Sequence, residues 1–506
     1  MSDNGTVTLT IDGDEVTVPA GLNLIEAASH AGREVPHYCY HPRLSVAGNC
    51  RVCLVEVEGW GKLQIGCNTM AADGMVVNTA NERVKEAREW VMELLLVNHP
   101  LDCTICDQAG ECKLQDYAVD HGRGSTEFDF EKAKKPKNVS WGDKVVFDSE
   151  RCILCTRCVR FLDEVAGTDE VSITNRGEKS TLIVKGDGNL TSPYQMNIID
   201  LCPVGALTSR DFRFKSRLWF MRFADTVCTS CARGCNVVAG NRNERMLRMV
   251  PRSNPAVNDS WMCDYGRLHY AFVNDEARLT MPRVAGEPAP YPVAVAGAKD
   301  ILEAENVVAV ASPFMTTEEL FALKGVCDAL GIEDRYFPLP LGEGDDLLVH
   351  PEKCPNARGA ALAGFEPLPE NFGDRNWDAL LEVALREGEG IDPARAGKRV
   401  VFSLKPVDAD VNLPLTTWIE KDGTFVSAGD LVQRITRGIT FEPTLLTERV
   451  VLDRLHAAVD PEFKGADTAS QAFARVAQEC EALAGLTWAR IGTGGARLPQ
   501  SQEAKA

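Results

Sequence analysis

Two short stretches of the chain decide its interpretation: residues 152–158 read CILCTRC, and residues 202–206 read CPVGA. The first stretch spaces its three cysteines as C-x2-C-x2-C, which is typical of the first three ligands of a ferredoxin-type [4Fe–4S] cluster. Such a run provides its next cysteine four residues later, but Leu162 occupies that position. The fourth ligand must therefore come from elsewhere in the chain.

The second stretch provides that ligand. In two-cluster ferredoxins, the cysteine that precedes proline in one run ligates the cluster of the other run. Cys202 precedes Pro203, and the same template places three residues that are not cysteine at the other ligand positions, namely Ser192, Gln195 and Ile198. The sequence thus predicts one [4Fe–4S] cluster and not two. Its ligands, called the Cys152 set below, are Cys152, Cys155, Cys158 and Cys202.

The composition indicates a globular chain of several domains. It has 506 residues, 44% hydrophobic and 25% charged, enough for about three or four domains. The formal charge of −19 disfavours nucleic acid and anionic membrane surfaces. There is no run of about 18 apolar residues that could span a membrane, and the N-terminus lacks the pattern of a secretory signal or a transit peptide. We expect a cytoplasmic chain that is not secreted.

The chain has 18 cysteines, which in a reducing compartment favour metal or cluster ligation over disulfides. The Cys39 set comprises Cys39, Cys50, Cys53 and Cys67. A hairpin at 7–18 and a helix at 22–31 are predicted before this set, and a second hairpin at 53–66 should return Cys67 to the loop that carries the other three cysteines, so the four thiols should meet in one place. This frame predicts a β-grasp domain with a [2Fe–2S] cluster. A four-cysteine zinc site is the alternative, but zinc ligands are usually paired at shorter gaps.

The His99 set follows a helix predicted over residues 82–97, whose buried face should carry Val84, Ala87, Val91 and Leu94. The set comprises His99, Cys103, Cys106 and Cys112, with three, two and five residues between successive members. One histidine and three cysteines at this spacing form one tetrahedral ligand set. Taken alone, the pattern suits zinc and an iron–sulfur cluster about equally.

The Cys228 set comprises Cys228, Cys231, Cys235 and Cys263. Its spacing also fits zinc, but the flanking stretch WMCDYGR at residues 261–267 resembles the end of the [4Fe–4S] subdomain in molybdopterin-type oxidoreductases. Three cysteines remain. Cys327 and Cys480 lie in helical patterns and are predicted to be small buried hydrophobes, whereas Cys354 lies in a loop, where a thiol could bind a metal.

The order and spacing of the four sets resemble the large iron–sulfur subunit, known as the G subunit, of bacterial proton-pumping NADH:quinone oxidoreductase, which is respiratory complex I. The likeness covers residues 1 to about 275. Beyond it, residues 355–359 and 422–426 resemble fragments of the molybdopterin-oxidoreductase fold, a weaker match. The predicted fold class is a multidomain α+β chain. Its domains are a [2Fe–2S] ferredoxin-like domain (1–80), a one-His-three-Cys [4Fe–4S] segment (81–120), a ferredoxin-type [4Fe–4S] domain (121–218), a molybdopterin-oxidoreductase-type [4Fe–4S] subdomain (219–275) and a trimmed α/β molybdopterin-oxidoreductase-like scaffold (276–506).

The resemblance implies a chain that carries electrons. One [2Fe–2S] and three [4Fe–4S] clusters would pass electrons from an FMN-containing NADH-binding subunit to a twin-cluster ferredoxin-like subunit and on to quinone, while the whole complex pumps protons. The path would run from the Cys39 set to the Cys152 set and then to the His99 set, with the Cys228 set off the path. Other peripheral-arm subunits of complex I are further expected partners. The expected location is the cytoplasmic side of the inner membrane, reached only through partners.

The sequence shows no catalytic residue, dinucleotide fingerprint or quinone site, and we expect no pterin, molybdenum or flavin on this chain. Three other functions are weighed against this one. The first is an electron-transfer subunit of an NAD-linked hydrogenase or formate dehydrogenase. The second is a molybdenum or tungsten enzyme with Cys354 as the metal ligand, for which the C-terminal region is short. The third is a structural zinc protein, which would require all four sets to be misassigned.

Overall fold

The computed structural model describes residues 5–371, 374–384 and 389–499. The chain divides into two units, residues 1–220 and residues 221–506. Within the described ranges, no helix combines the length and the apolar character needed to cross a membrane.

The first unit begins with a five-stranded sheet in the order β2-β1-β5-β3-β4. Its elements are β1 (Thr6–Ile11), β2 (Asp14–Pro19), α1 (Leu24–His30), β3 (Leu54–Val57), β4 (Gln64–Ile65) and β5 (Val76–Asn78). Asp12 and Gly13 both have positive φ, as a two-residue hairpin turn requires, and Asn23 caps α1 with Glu26 in a capping box. Both predicted hairpins and the helix are therefore confirmed.

Helix α2 (Glu82–Leu96) matches the predicted span within one residue, but its predicted buried face is only partly right. Val84 is buried, whereas Leu94 is 59% exposed. The inward face instead carries Arg88 and Met92. Arg88 Nη2 donates a hydrogen bond of 3.0 Å to the carbonyl oxygen of Leu54. A long cationic side chain can be buried when its head has a partner, which apolar periodicity does not reveal.

The remainder of the first unit consists of short elements joined by long loops. These elements are α3 (Lys113–His121), β6 (Val139–Ser140), β7 (Val145–Phe147), α4 (Arg157–Arg160), β8 (Val171–Thr174), β9 (Thr181–Val184), α5 (Asn197–Leu201) and β10 (Leu207–Ser209). Strands β10, β7 and β6 form one antiparallel sheet, and β8 pairs with β9. Cys152 and Cys155 thus precede α4, Cys158 lies in its first turn, and Cys202 follows α5.

The second unit starts with the antiparallel sheet β11 (Arg222–Val227), β12 (Asn236–Arg242) and β13 (Arg245–Pro251), followed by helix α6 (Asp264–Leu268). Cys228, Cys231 and Cys235 lie in the connection between β11 and β12. Cys263 is the N-cap residue of α6. The four members of the Cys228 set therefore lie on the connection within the sheet and at the start of the helix.

An eight-stranded sheet in the order β15-β14-β21-β20-β19-β16-β17-β18 organises the rest of the second unit. Its elements and their neighbours are β14 (Arg283–Val284), β15 (Glu287–Pro288), α7 (Tyr291–Leu302), β16 (Val307–Ala311), α8 (Thr317–Leu330), β17 (Asp334–Phe337), α9 (Ala357–Leu362), β18 (Glu366–Pro367), β19 (Trp377–Val383), β20 (Ala396–Ser403), β21 (Val411–Pro414), β22 (Gly423–Val426), β23 (Leu431–Ile435), α10 (Glu448–Val459), α11 (Ala469–Glu479), α12 (Trp488–Ile491) and β24 (Ala496–Arg497). Strands β16 to β21 are parallel to their partners within this group.

The α/β character predicted for this region is confirmed, because strands such as β16 alternate with helices such as α8. Cys327 and Cys354 are fully buried in its apolar core, so the loop thiol at 354 is a core side chain. Cys480 ends α11 and packs against the same core. The likeness of this region to molybdopterin oxidoreductases stays a prediction.

Candidate iron–sulfur sites

The structure brings the thiols of the Cys39 set together. The Cys39 thiol contacts those of Cys50 and Cys67, and the Cys53 thiol also contacts that of Cys67. The hydrogen bonds from Cys50 and Cys67 lower the pKa of Cys39. The loop before β3 and the short helical turn after β4 supply these residues, because the second hairpin folds back on the loop as the sequence predicts.

The Cys152 set surrounds a cavity in the first unit. All four of its cysteines line this cavity, together with apolar side chains that include Phe147, Leu182 and Leu207. Two ligand-loop residues, Leu154 and Thr156, have positive φ, a conformation that is strained for side chains other than glycine. The backbone is therefore bent so that successive thiols turn to the same side.

The donor chemistry of this cavity fits a cluster. All four cysteines are free of disulfides, and burial raises the pKa of Cys152 and of Cys202 to about 12. At neutral pH these thiols hold their protons unless a cation replaces them, because only the thiolate binds metal. Four thiols around an apolar cavity thus suit a multi-iron cation that displaces protons on binding.

The His99 set lies between α2 and α3. Cys112 is the N-cap residue of α3, and Cys103 begins a short helical turn that ends at Cys106. Burial raises the pKa of Cys112 to about 11 and lowers that of His99 to about 4. His99 is therefore neutral at pH 7, which is the form that binds metal.

An ion pair between the buried Arg151 and the half-buried Asp102 lies beside this set. Arg151 donates to both carboxylate oxygens of Asp102, at 2.9 and 2.7 Å. Asp102 precedes Cys103, and Arg151 precedes Cys152, so the pair joins the loop of the His99 set to the loop of the Cys152 set. The spacing of the ligand motifs did not predict this pair, because the motifs consist of cysteines and one histidine and include neither Asp102 nor Arg151.

The two sets also approach each other at Gly205, in the stretch CPVGA. A Cβ atom at this position would overlap with Cys106 Sγ and would lie 3.2 Å from Cβ of Gln108. Only glycine lets the backbone after Cys202 come this close to the Cys106 thiol. The sequence shows a glycine close to the ligand Cys202, but ligand spacing alone could not reveal that this glycine lies against Cys106.

The Cys228 set is gathered by the turn between β11 and β12 and by the start of α6. Cys228 N donates to the Cys235 carbonyl oxygen at 2.8 Å, and Gly266 N donates to Cys263 Sγ at 3.3 Å. A Cβ atom on Gly266 would lie 2.9 Å from Cys228 Sγ and 3.4 Å from Cys263 Sγ. The glycine therefore leaves room for two thiols on the same side of the turn.

No three His, Cys, Asp or Glu side chains among the described residues are placed to hold a single metal ion.

Four family models match consecutive parts of the chain. They are a 2Fe-2S iron-sulfur cluster binding domain at residues 4–82 and an NADH-ubiquinone oxidoreductase-G iron-sulfur binding region at residues 88–127. A ferredoxin-like domain of NADH-quinone oxidoreductase subunit 3 matches residues 142–208, and an NADH-ubiquinone oxidoreductase NDSU1/NuoG-like 4Fe-4S domain matches residues 221–271. Each matched region contains one ligand set. Domains for both kinds of cluster, [2Fe–2S] and [4Fe–4S], are therefore present.

Curated relatives agree with these models. The NADH-quinone oxidoreductase G subunit of Rickettsia felis is 38% identical over 332 residues, or 64% of this chain and 49% of the relative. The Streptomyces coelicolor protein of the same name is 42% identical over 57% of this chain and 35% of its own length. The mitochondrial NADH-ubiquinone oxidoreductase 78 kDa subunit of Candida albicans is 39% identical over 65% of this chain and 47% of its own length.

A solved structure of an NAD+-reducing [NiFe]-hydrogenase is 31% identical, with a TM-score of 0.38 over 42% of this chain and 91% of its own. The matches to curated relatives span about half the relatives' length or less. The family models and the curated relatives agree in one respect: over part of its length, this chain is similar to the iron–sulfur G subunits of NADH-quinone oxidoreductase.

Proposed function

We propose that this chain is an electron-transfer subunit of complex I. It passes electrons from an FMN-containing NADH-binding subunit toward quinone, and the whole complex couples this transfer to proton translocation. The observation that carries the proposal is the cavity lined by Cys152, Cys155, Cys158 and Cys202, because four buried thiols around an apolar space suit iron–sulfur ligation.

Four clusters are proposed, one for each ligand set. The Cys39 set holds a [2Fe–2S] cluster, and the Cys152, His99 and Cys228 sets each hold a [4Fe–4S] cluster. Such clusters accept and donate one electron at a time, at potentials set by ligand type, charge, hydrogen bonding and burial. The residues of this chain ligate the iron, exclude water and hold neighbouring sets close together. The region after residue 275 serves as a scaffold without pterin, molybdenum or flavin.

The proposed order of transfer and the proposed partners are supported by the similarity to the G subunits of NADH-quinone oxidoreductase. Electrons pass from the Cys39 set to the Cys152 set, then to the His99 set and to a twin-cluster ferredoxin-like subunit. Close contact between the last two sets at Gly205 and Cys106 supports this order. The Cys228 set is off the path and structural. The subunit works in the peripheral arm on the cytoplasmic side of the inner membrane and reaches the membrane only through its partners.

Replacing Cys155 by serine tests the path. In assembled complex I, Cys155→Ser should abolish NADH-dependent quinone reduction, while NADH oxidation by an artificial acceptor at the flavin subunit continues. Cys480→Ser is the control, because this half-buried cysteine belongs to no ligand set. Full quinone reduction by the Cys155→Ser complex would refute the proposed path.

A further inference from the structure

The loop that carries Cys39 and Cys50 contacts the loop that carries Cys152, Cys155 and Cys158. Asn49 Nδ2 donates to the Leu154 carbonyl oxygen at 3.0 Å. Ser45 N donates to Glu164 Oε2 at 2.9 Å. Two ligand sets that are far apart in the sequence are thus joined through direct polar contacts between their loops.

Arg160 makes the densest of these connections. Its Nη2 donates to the Cys39 carbonyl oxygen at 2.6 Å and to the Cys155 carbonyl oxygen at 3.3 Å. Its Nη1 donates to the Ser45 carbonyl oxygen, and its Nε donates to Thr156 Oγ1 at 3.3 Å. One guanidinium therefore binds the backbone of a ligand residue from each set, and it uses all three of its nitrogens to hold the two loops.

Arg157 adds a second connection one helical turn earlier. It donates through Nη2 to the Tyr40 carbonyl oxygen, next to Cys39, and through Nη1 to the Leu201 carbonyl oxygen at 3.3 Å, next to Cys202. The two arginines together bind the backbone at or beside ligands of both sets. Since each thiolate-ligated site carries negative charge, two cations between the sites also reduce repulsion between them.

This arrangement needs arginine in particular. A guanidinium has five donors in a planar fork, whereas an ammonium is a point charge on a flexible stem. Lysine at position 160 could keep the charge and bind one carbonyl oxygen, but it could not hold all four acceptors on the two loops. Charge and positioning can therefore be separated by substitution.

We propose that Arg160, assisted by Arg157, is a positioning residue for electron transfer that fixes the separation between the Cys39 and Cys152 sets. The inference rests on the proposed function, since it assumes that both sets hold clusters that exchange electrons. The side chain binds no iron. It acts through the backbone of Cys39 and Cys155, and its effect depends on geometry more than on charge.

The test compares Arg160→Gln and Arg160→Lys with the control Arg33→Gln in the assembled complex. Arg33 is an exposed arginine of the same unit that pairs with Asp14. Pulsed electron paramagnetic resonance (EPR) on the reduced complex measures the magnetic dipolar coupling between the two clusters. Freeze-quench EPR after NADH addition measures the rate at which the second cluster is reduced. Iron content and integrated signals establish that both clusters are present.

We expect both Arg160 variants to change the dipolar coupling and to slow reduction of the second cluster severalfold, because the rate of electron transfer falls as the separation between two clusters increases. The lysine variant should restore midpoint potentials more fully than it restores the coupling. Dipolar coupling and rate equal to those of the Arg33→Gln complex, with both clusters present, would overturn the proposal.

If Arg160→Gln assembles without its clusters, the milder Arg160→Lys variant decides by the same two readouts. The unmodified complex separates this inference from the proposed function. If NADH reduces neither cluster there, the electron path itself is wrong. If NADH reduces both and the Arg160 variants behave as the control does, only the positioning role is wrong.

Discussion

Each of the two units of the chain is stabilised by different interactions. In residues 1–220 a small apolar core lies under the five-stranded sheet, most of the other elements are short, and three of the four ligand sets lie in loops and turns joined by polar contacts. In residues 221–506 an eight-stranded sheet and its helices enclose a large apolar core. Outside its small core, we therefore expect the first unit to depend on its clusters for order, whereas the large core of the second unit should stabilise that unit without them.

Iron removal should produce the largest difference in stability between the two units. Chelation under anaerobic conditions should destabilise the first unit by several kcal/mol, since a single structural zinc ion contributes about 10 kcal/mol in zinc-finger peptides. Hydrogen exchange should accelerate at residues 39–67 and 152–202 and change little in β16, β19 and β20. Equal loss of protection in both units would contradict the distinction drawn here.

A cavity in the apolar core should affect only the second unit. Leu381 lies in β19 and is fully buried, so Leu381→Ala should lower the free energy of unfolding of that unit by about 2–5 kcal/mol. The control is Leu341→Ala, because Leu341 is 69% exposed. Chemical denaturation measures the difference, and the EPR signals of the Cys39 set should keep their intensity. A shift below about 0.5 kcal/mol would argue against a close-packed core.

A methyl group at Gly205 should disturb the contact between two ligand sets. A Cβ atom there would overlap with Cys106 Sγ, and overpacking of this kind costs about 1–3 kcal/mol. We expect Gly205→Ala to alter the EPR signal of the His99 set more than the signals of the other sets. Gly124→Ala is the control, because a Cβ on Gly124 meets no atom within 4 Å. Identical spectra for the two variants would exclude the close approach.

Buried ionisable side chains in the second unit should make its free energy of unfolding depend on pH. Lys421 Nζ lies 2.9 Å from Glu319 Oε1 and 2.8 Å from Glu448 Oε2, yet burial raises the pKa of Glu319 from 4.5 to about 8. Between these values the folded state holds a proton that the unfolded state has lost. The free energy of unfolding should therefore fall by about 1 kcal/mol per pH unit as pH rises from 5 to 8.

Urea unfolding at pH 5, 6, 7 and 8 measures this slope. Glu318 contributes in the same direction, because burial raises its pKa to about 7. Glu319→Gln should flatten the slope while keeping the capping box at the start of α8, since glutamine also caps at this position. An unchanged slope in the variant would assign the pH dependence to other groups.

The sequence predicted the features that depend on local pattern. Ligand spacing proposed the four sets, whose role as ligands stays a prediction, and strand alternation with the Asp12-Gly13 turn predicted the first hairpin. It did not predict contacts between distant loops, such as Gly205 against Cys106 or Arg160 between Cys39 and Cys155, because these depend on tertiary packing. The predicted buried face of α2 missed Arg88 for the same reason: this side chain is buried because it donates to a carbonyl oxygen 34 residues earlier in the chain.

The most direct test of the central claim is the metal content of the anaerobically purified protein, measured by mass spectrometry. One [2Fe–2S] and three [4Fe–4S] clusters predict about 14 iron atoms per chain, with no molybdenum or tungsten. That result would support a chain built to carry electrons. Stoichiometric zinc with little iron would contradict the account, and stoichiometric molybdenum or tungsten would replace the electron carrier with an enzyme.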